Sequence, residues 1–412
     1  MLMKTFLLLA YACEPDKGSE PGVGWNWALE IARRNRVIVI TRTNNRESIE
    51  KFLENQTYEN ISFEYCDVPK GLSFWKKGQK GLYLYYFLWQ LFSLKRAKTI
   101  TKRVSVDYAM AVTFGNIWLP TFIHKLPCDC IWGPLGGGEA IPKAFWEKIS
   151  FRQRTFEKIR RFNARIPLTN PFLRGLCKKS KLILVRTKDT ERCIPRKFQN
   201  KCLLCIETGI SQKDLDKYGS IESKAKAVQV YDFVVVGKLT SLKQVNIAID
   251  AFSAICQKDC VGKLHIIGDG PEKASLQSIV EEYRIESQVV FHGNVSHDKV
   301  LEIMSACHAV VMPSLKEGGS WVMYEAMLLK KPMICFNHAG MAVVETEETA
   351  ILIPVIPYEA AVKKFAEGMQ YLAENPEASQ AIGVRAFEHV KADLQWKNHV
   401  DRMYEYLGNS SI

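Results

Sequence analysis

The chain has 412 residues, of which 47% are hydrophobic and 24% are charged. This is enough for two domains with buried cores, and no apolar run approaches the roughly 20 residues that a membrane-spanning helix needs. Residues 1–210 hold 36 Lys and Arg against 18 Asp and Glu, a formal charge of +18. Residues 211–412 hold 20 against 26, a formal charge of −6. This asymmetry predicts a division of labour between the two halves.

The chain begins with MLMKTFLLLAYAC, in which a lysine precedes a short apolar stretch as in a signal peptide. The stretch is brief, has no evident small-residue cleavage site and runs at once into the loop-like EPDKGSEPG. We therefore predict that it forms a first buried strand.

The twelve cysteines do not form a metal-binding pattern. Cys202 and Cys205 make one CxxC, but no second pair stands at zinc spacing. We predict reduced core thiols in a cytoplasmic protein.

Short apolar runs alternate with helix-like stretches along the whole chain. In the first half the predicted strands are KTFLLLAYA, RVIVITRT, ISFEYCDV, DYAMAVTF, CDCIWG, KLILVRT and CLLCIE. In the second half they are DFVVVGK, KLHIIGD, QVVFHGN, CHAVVMPS, KPMICFNH and AILIPV. Strands that are apolar on both faces and alternate with helices predict parallel sheets covered on both sides.

This strand–helix pattern occurs twice, on either side of a polar stretch at 211–230. We predict an α/β protein with two Rossmann-like domains that face each other across a cleft and are joined near 208–231. The first domain is 1–210 and the second is 231–392, and we expect a last amphipathic helix, 393–412, to pack back on the first. Ligands of open α/β sheets bind at the carboxyl ends of strands, so the loops that follow strands are the expected sites.

One such loop lies in SLKEGGSWVMYEAM (314–327), which holds two glutamates eight positions apart. From Trp321 to Leu329, Glu325 is the sole residue that is charged at neutral pH. The predicted helix is therefore apolar nearly all round, and a carboxylate buried in it needs partners. A solvated Glu325 beside a tight glycine turn is the alternative.

The start of this helix is suited to a phosphate. Gly318 and Gly319 let the backbone approach a ligand closely, and Ser320 stands at the expected N-cap, where free N–H groups bind anions. Glu317 and Glu325 would then accept hydrogen bonds from neutral donors such as the hydroxyls of a sugar and a ribose. A phosphate flanked by two polyols describes a nucleotide sugar.

Two further loops supply candidate residues. Lys238 and Lys243 follow the first strand of the second domain, and we expect them to neutralise a diphosphate; loop lysines that merely face solvent are the alternative. Gly22 and Gly24 follow the first strand of the chain and predict a glycine-rich loop at a helix N-terminus. They do not complete the GxGxxG of a dinucleotide site.

Together these segments resemble the retaining glycosyltransferases with the GT-B fold, specifically glycosyltransferase family 4 (group 1). The resemblance rests on the Glu–seven residues–Glu region in SLKEGGSWVMYEAMLLKKPMI, on VGKLTSLK and on HIIGDGP. It continues through VVFHGNVSHDKVLEIMSACHAVVMPS and GSEPGVGWNWALEIARRNRVIVITRT, and so covers nearly the whole chain.

The resemblance implies a role for each matching residue. Glu317 would hold hydroxyls of the transferred sugar and stabilise its developing positive charge, and Glu325 would bind the ribose. Lys238 and Lys243 would neutralise the diphosphate leaving group of a UDP- or GDP-sugar. No metal or separate cofactor is implied, because lysines and helix amides supply the charge stabilisation. The other donor-binding residues that it implies are Gly22 and Gly24 over the phosphates, and Asn294 and Val295 near the base.

Three positions depart from the family pattern. Gln244 and Ala350 stand where the family has glycines. Many members carry a histidine near the donor sugar, whereas Trp132 and Gly133 occupy the corresponding stretch here, so that no histidine role is assigned. The run CDCIWGPLGGGEAIP, with GSEPGVGW, instead resembles a sub-group with a WGPxGGGE motif. The residues predicted to shape the sugar or acceptor site are Gly136, Gly137, Gly138 and Glu139.

Two segments of the basic half mix apolar and basic residues. Residues 71–103 combine aromatics and leucines with Lys and Arg, and residues 152–165 carry six basic residues against one glutamate. A core helix with a charged rim is one explanation. Nucleic-acid binding is a second, but no recognition motif accompanies it. Attachment to an anionic membrane surface is the third, and it suits a lipid-linked acceptor.

We therefore expect a metal-independent, retaining hexosyltransferase, peripheral on the cytoplasmic face of the cell membrane. It would move a sugar from a nucleotide-diphosphate-sugar to a glycan or lipid-linked acceptor, in the synthesis of capsule, O-antigen or exopolysaccharide. The alternatives are a GT-B nucleotide-sugar epimerase or hydrolase, and a catalytically silent nucleotide-sugar-binding module.

Overall fold

The computed structural model describes residues 3–56, 58–76, 78, 80–149, 151–164, 170–219, 221 and 230–409. The chain separates into two compact units. Unit 1 consists of Met1–Gly138, Arg160–Thr208 and Trp396–Ile412, and unit 2 consists of Glu139–Ile159 and Gly209–Gln395. Residues 139–159 therefore belong to unit 2, although the chain on either side of them belongs to unit 1.

Unit 1 contains one parallel sheet. Its seven strands pair in the order β3-β2-β1-β4-β5-β6-β7. Each neighbouring pair is parallel; Leu7, for example, lies opposite Ile38 on one side and Ala109 on the other. All seven strands predicted for the first half are confirmed. The strands are β1 (Thr5–Leu9), β2 (Arg36–Thr41), β3 (Ile61–Tyr65), β4 (Tyr108–Ala111), β5 (Asp129–Leu135), β6 (Ser180–Val185) and β7 (Cys202–Leu204).

Unit 2 contains a second parallel sheet, whose six strands pair in the order β10-β9-β8-β11-β12-β13. All six predicted strands are confirmed here too. They are β8 (Tyr231–Val236), β9 (Val261–Ile267), β10 (Val289–Gly293), β11 (Ala309–Met312), β12 (Met333–Phe336) and β13 (Ala350–Ile353).

Helices follow most of the strands. The first eight α-helices among the described residues are α1 (Ser19–Ala32), α2 (Arg46–Asn55), α3 (Leu82–Thr101), α4 (Phe151–Ala164), α5 (Pro171–Lys179), α6 (Lys188–Arg192), α7 (Gln212–Gly219) and α8 (Val245–Ser253). The later ones are α9 (Lys273–Tyr283), α10 (His297–Ala306), α11 (Trp321–Leu328), α12 (Met341–Val344), α13 (Tyr358–Glu374), α14 (Pro376–Asp393) and α15 (Trp396–Asn409). Short 3₁₀ helices are Thr43–Asn45, Lys70–Leu72, Ile123–Lys125, Lys143–Lys148 and Arg196–Lys201.

Both faces of the first sheet are buried. Along β1, Leu7 and Leu9 belong to one hydrophobic cluster, whereas Phe6 and Leu8 belong to another on the opposite face. Side chains of successive strand residues point to opposite faces, so helices must cover both. This is why the strands read as continuous apolar runs rather than as alternating ones.

The strand orders define one switch point in each sheet, where the chain changes direction of winding. It lies between β1 and β4 in unit 1 and between β8 and β11 in unit 2. Loops at the carboxyl ends of the strands diverge there and leave a crevice, which is the usual ligand position in such sheets.

The glycines near the N-terminus lie elsewhere than expected. Gly22 and Gly24 were predicted to be in a loop, but they are buried within α1, which begins at Ser19. A Cβ atom at Gly22 would collide with the carbonyl oxygen of Lys17, and one at Gly24 with that of Ala12. The predicted loop is wrong because these glycines let the helix pack closely on the preceding backbone.

Other expectations fall partly outside the described residues. The polar stretch at 211–230 contains α7, but residues 220 and 222–229 are not described.

All twelve cysteines are free thiols. Among the described residues, no helix is both long enough and apolar enough to cross a membrane.

Candidate active site

Two loops of unit 2 meet at the switch point of its sheet. The first, 237–244, follows β8, and the second, 313–320, follows the neighbouring strand β11. The backbone N–H of Leu315 donates a hydrogen bond of 2.9 Å to the carbonyl oxygen of Leu242, which fastens one loop to the other. The second half of the first loop is thereby held beside the first half of the second loop.

This arrangement brings Lys243 and Glu317 together. The Lys243 Nζ donates a hydrogen bond to the Glu317 Oε1, and the side chains are only 24% and 13% exposed. The sequence predicted both residues as donor contacts but not that they pair. Lys238, the other predicted lysine, is exposed at the start of the same loop.

The glycine–serine segment ends where predicted, at the N-cap of a helix. Ser320 is the N-cap of α11, although its side chain makes no capping hydrogen bond. The Gly340 N–H donates to the Glu317 carbonyl oxygen at 2.9 Å, and a Cβ atom at Gly340 would collide with the Gly318 carbonyl oxygen. Sequence reasoning missed Gly340, and its position shortly after a predicted strand was the available signal.

Glu325 is buried, as its apolar surroundings predicted. Its Oε1 lies 2.7 Å from the His297 Nε2, and Glu325 is only 5% exposed. The hydrogen bond to this carboxylate raises the pKa of His297, although burial acts in the opposite direction. The alternative of a solvated Glu325 is therefore wrong. Sequence reasoning missed His297; the available signal was the predicted need of a buried Glu325 carboxylate for a partner.

The turn that was predicted to lie near a base precedes this histidine. Asn294 is exposed and Val295 is half-buried, and both lie between β10 and α10, whose first residue is His297. Gly293 at the start of the turn has a φ of +64°, which favours glycine. The turn is thus on the same side of unit 2 as the Glu325 carboxylate.

Close backbone packing shapes the loop after β8. Gly268 has a φ of +132°, and a Cβ atom there would collide with the carbonyl oxygen of Gly237. A Cβ atom at Gly270 would likewise collide with the Leu239 carbonyl oxygen. The segment HIIGDGP therefore supports the loop that carries the two lysines.

Gln244 stands at a position that glycine would adopt more easily. It is the N-cap of α8 and has φ 47° and ψ 42°, in the left-handed region. Its Nε2 donates to the Ser241 carbonyl oxygen at 2.5 Å, which helps to hold that conformation. Gln244 departs from the family pattern, but its backbone has the left-handed conformation that a glycine would adopt at this position.

The glycine run near residue 137 is closely packed. Gly136 forms a β-bridge with Asn116, and a Cβ atom at Gly137 would collide with the Asn116 side chain. A Cβ atom at Gly138 would contact the backbone of Thr190. These contacts lie within unit 1 and explain Gly137 and Gly138 by packing, whereas Glu139 is buried and belongs to unit 2.

Known structures establish the class of fold. The chain is similar to the crystal structure of Anabaena HepE in complex with UDP and glucose, with a TM-score of 0.55 and 16% identity. The match covers 98% of this chain and 99% of that one. Two parallel-sheet α/β units with this likeness define the GT-B fold.

Sequence comparison identifies the region that carries the relationship. Residues 219–389 match the family model described as Glycosyl transferases group 1. Alpha-D-kanosaminyltransferase from Streptomyces kanamyceticus is 24% identical over 37% of this chain and 38% of its own length. The putative colanic acid biosynthesis glycosyltransferase WcaL from Escherichia coli is 24% identical over 34% of this chain and 36% of its own length. The chain thus matches little more than a third of the length of either relative. The residues that match the family model lie in unit 2.

Proposed function

We propose that this protein is a retaining glycosyltransferase that moves a hexose from a UDP- or GDP-sugar to a glycan or lipid-linked acceptor. The contact of Lys243 with Glu317 at the switch point of the unit 2 sheet supports this most directly. This contact puts the Lys243 ammonium group and the Glu317 carboxylate, which can accept hydrogen bonds from hydroxyl groups, beside the N-terminus of α11. A sugar joined to a diphosphate requires that combination of groups side by side.

The diphosphate would be bound by Lys243, Lys238 and the start of α11. An ammonium group has three donors, and Lys243 uses one on Glu317, which leaves two for phosphate oxygens. The first N–H groups of a helix and its dipole also favour an anion. We propose that these groups stabilise the leaving diphosphate and that the reaction needs no metal.

The two glutamates would bind the two ends of the donor. Glu317 lies against Lys243, next to the proposed diphosphate, and would accept hydrogen bonds from the sugar hydroxyls and stabilise its developing positive charge. Glu325 would accept from the ribose hydroxyls, oriented by His297. The acceptor would attack the face of the sugar that the diphosphate leaves, and the leaving phosphate would take the acceptor proton.

A membrane location is supported by α3. Its exposed face presents Tyr83, Leu84, Phe87 and Leu91, each at least 38% exposed, while the other face is buried. Nine Lys and Arg and no Asp or Glu occur between Asp67 and Asp107. Apolar side chains surrounded by positive charge suit an anionic lipid surface. We propose attachment to the cytoplasmic face of the membrane, for surface polysaccharide synthesis.

Binding of the donor is the first test. A thermal-shift screen against UDP-, GDP-, ADP- and dTDP-sugars should give a concentration-dependent rise in unfolding temperature with one nucleotide class. No rise with any of the four would contradict the proposal. Release of free sugar from that donor without any acceptor would indicate a hydrolase instead.

Glu317→Ala is the second test. We expect transfer to fall by about a hundredfold or more, because an interaction with the developing charge is lost, while the nucleotide still binds. Transfer is measured as acceptor-dependent release of the nucleoside diphosphate. Full activity in this variant would refute the role of Glu317.

A further inference from the structure

Helix α4 has its polar side inward and its apolar side outward. Phe151 and Phe162 are 84% and 73% exposed, and Phe156 and Ile159 are also more than half exposed. Glu157, by contrast, is 2% exposed. A surface helix of a folded protein ordinarily buries its apolar side chains and exposes its charged ones. In α4 this arrangement is inverted, so both the buried polar side chains and the exposed apolar side chains need an explanation.

The inward side contacts the loop that carries Lys243. The Ser241 Oγ donates a hydrogen bond to the Gln153 Oε1 of α4, and Ser241 lies two residues before Lys243. Gln153 therefore restrains this loop close to Lys243. Both residues belong to unit 2.

The same side also contacts the loop that carries Glu317. The Glu157 Oε2 lies 3.7 Å from the Nζ of Lys316, the residue before Glu317. The other carboxylate oxygen of Glu157 accepts a hydrogen bond of 3.2 Å from the Ile141 N–H. The two loops whose side chains meet in the candidate site are thus both held by one helix.

The outward side is suited to a lipid surface. Of the basic residues described on α4, Lys158 is exposed, whereas Arg160 is buried and donates a hydrogen bond of 2.9 Å to the Gly137 carbonyl oxygen; the single acidic residue, Glu157, is also buried. The exposed side chains described on α4 are four large apolar ones together with Thr155 and Lys158. A patch that is apolar, carries the cation of Lys158 and exposes no acidic side chain among the described residues of α4 is suited to the boundary between the acyl chains and the headgroups of a bilayer that contains anionic lipid.

We propose that α4 couples an anionic bilayer to the donor loops, with Gln153 and Glu157 as positioning residues for Lys243 and Glu317. Docking of the apolar side holds the helix in place, and its polar side then holds the two loops in the arrangement that binds a diphosphate. Nucleotide diphosphate affinity should therefore rise when the protein is on such a bilayer. This inference rests on the proposed function.

The experiment measures the affinities of UDP, GDP and uridine for the full chain by titration calorimetry. Each is measured alone, with phosphatidylcholine vesicles, and with vesicles that also contain phosphatidylglycerol. We expect the nucleoside diphosphate that binds to bind about fivefold more tightly with the anionic vesicles. Uridine affinity should not change, because the coupling acts through the phosphate-binding loops.

Substitutions separate the two sides of the helix. Phe156→Ser with Ile159→Ser should reduce vesicle binding and abolish the rise in affinity, with unchanged affinity in the absence of vesicles. Gln153→Ala should keep vesicle binding but weaken diphosphate binding and lose the rise, and Glu157→Gln should do the same. Thr155→Ala, on an exposed position of the same helix, is the matched control and should behave as the unsubstituted chain.

The outcomes distinguish the inference from the proposed function. Equal diphosphate affinity with and without anionic vesicles would overturn the coupling, as would a rise that persists in the Phe156 and Ile159 variant. An equal loss of uridine and diphosphate affinity in Gln153→Ala would indicate a merely structural role and overturn the positioning role. If neither UDP nor GDP binds the unsubstituted chain in any condition, the proposed function fails, and the inference fails with it.

Discussion

Lys243 and Glu317 are 74 positions apart in the chain, yet their side chains are in contact. Each was identifiable from its own loop: a lysine after a strand, and a glutamate before two glycines. Their contact depends on the pairing of β8 with β11, which no local pattern specifies. The loop position of each residue could thus be predicted more readily than its partner.

Lys243→Ala should weaken binding of a nucleoside diphosphate much more than binding of the nucleoside. Removing a cation that faces a phosphate typically costs about 1.5–3 kcal/mol, or roughly 10- to 150-fold in affinity, whereas the nucleoside does not reach this group. Competition titrations with UDP or GDP against uridine or guanosine measure both. Equal losses for diphosphate and nucleoside would argue against phosphate contact.

Glu345 is a buried carboxyl group outside the candidate site. Its Oε2 accepts a hydrogen bond of 2.8 Å from the Thr349 Oγ1, and its Oε1 has no hydrogen-bond partner among the described residues. Burial raises the pKa of Glu345 to about 8, from 4.5. The folded chain therefore keeps a proton between pH 4.5 and about 8 that the unfolded chain has lost, and the free energy of unfolding falls as the pH rises through this window.

Glu345→Gln should remove this dependence, because the amide does not ionise. Relative to the unsubstituted chain, we expect a gain of at least about 1 kcal/mol on going from pH 5 to pH 8, since each pKa unit is worth about 1.4 kcal/mol. Thermal unfolding at both pH values measures the gain. Glu347→Gln, at an exposed position nearby, is the control and should show no such change; a parallel pH dependence in all three proteins would contradict the prediction.

At the scale of elements, the strands were the most predictable part of the molecule. Each is buried on both faces, so its sequence is an apolar run of characteristic length bounded by polar turns. Helix boundaries were less certain, and α1 shows why. Its first turns contain Gly22 and Gly24, which look like loop residues until the backbone packed against them is known.

Gly268 provides a test of the packing between the loops that follow β8 and β9. Gly268→Ala should lower the free energy of unfolding by about 2 kcal/mol or more, because the new methyl group collides with the Gly237 carbonyl oxygen and the backbone has a φ of +132°. Chemical denaturation measures this change.

Gly175→Ala is the matched control. Gly175 lies within α5, and a Cβ atom there would meet nothing within 4 Å. Alanine is favoured over glycine in a helix, so this variant should gain stability, by up to about 1 kcal/mol. Equal destabilisation by both substitutions would count against the packing argument.

At the scale of the whole molecule, the positive charge and the exposed apolar side chains are both concentrated in the first half of the sequence. The basic residues are concentrated in the first half of the sequence, and so are most of the large apolar side chains that remain exposed. The structure refines the explanation of residues 71–103 as a core helix with a charged rim. One face of α3 is core, but its other face is apolar and exposed rather than charged throughout.

Leu84→Ser with Leu91→Ser should reduce binding of the protein to vesicles that contain anionic lipid, by about tenfold. Both side chains are at least 40% exposed, so their loss costs the fold little but removes apolar area available to the bilayer. Vesicle sedimentation with and without phosphatidylglycerol measures the partitioning.

Tyr371→Ser is the control, because Tyr371 is an exposed aromatic residue on α13 in unit 2. It should bind vesicles like the unsubstituted chain. Equal partitioning onto neutral and anionic vesicles by all of these proteins would remove the support for membrane attachment.

The sequence by itself determined the two α/β units, their strands and the burial of Glu325, because each leaves a local signature of apolar length and period. Only the tertiary structure decided which partners these residues meet. Lys243 pairs with Glu317 and Glu325 with His297 because strands distant in sequence lie side by side in one sheet. The inverted orientation of α4 was decided in the same way, since the buried side of a helix is set by what packs against it as well as by its own composition.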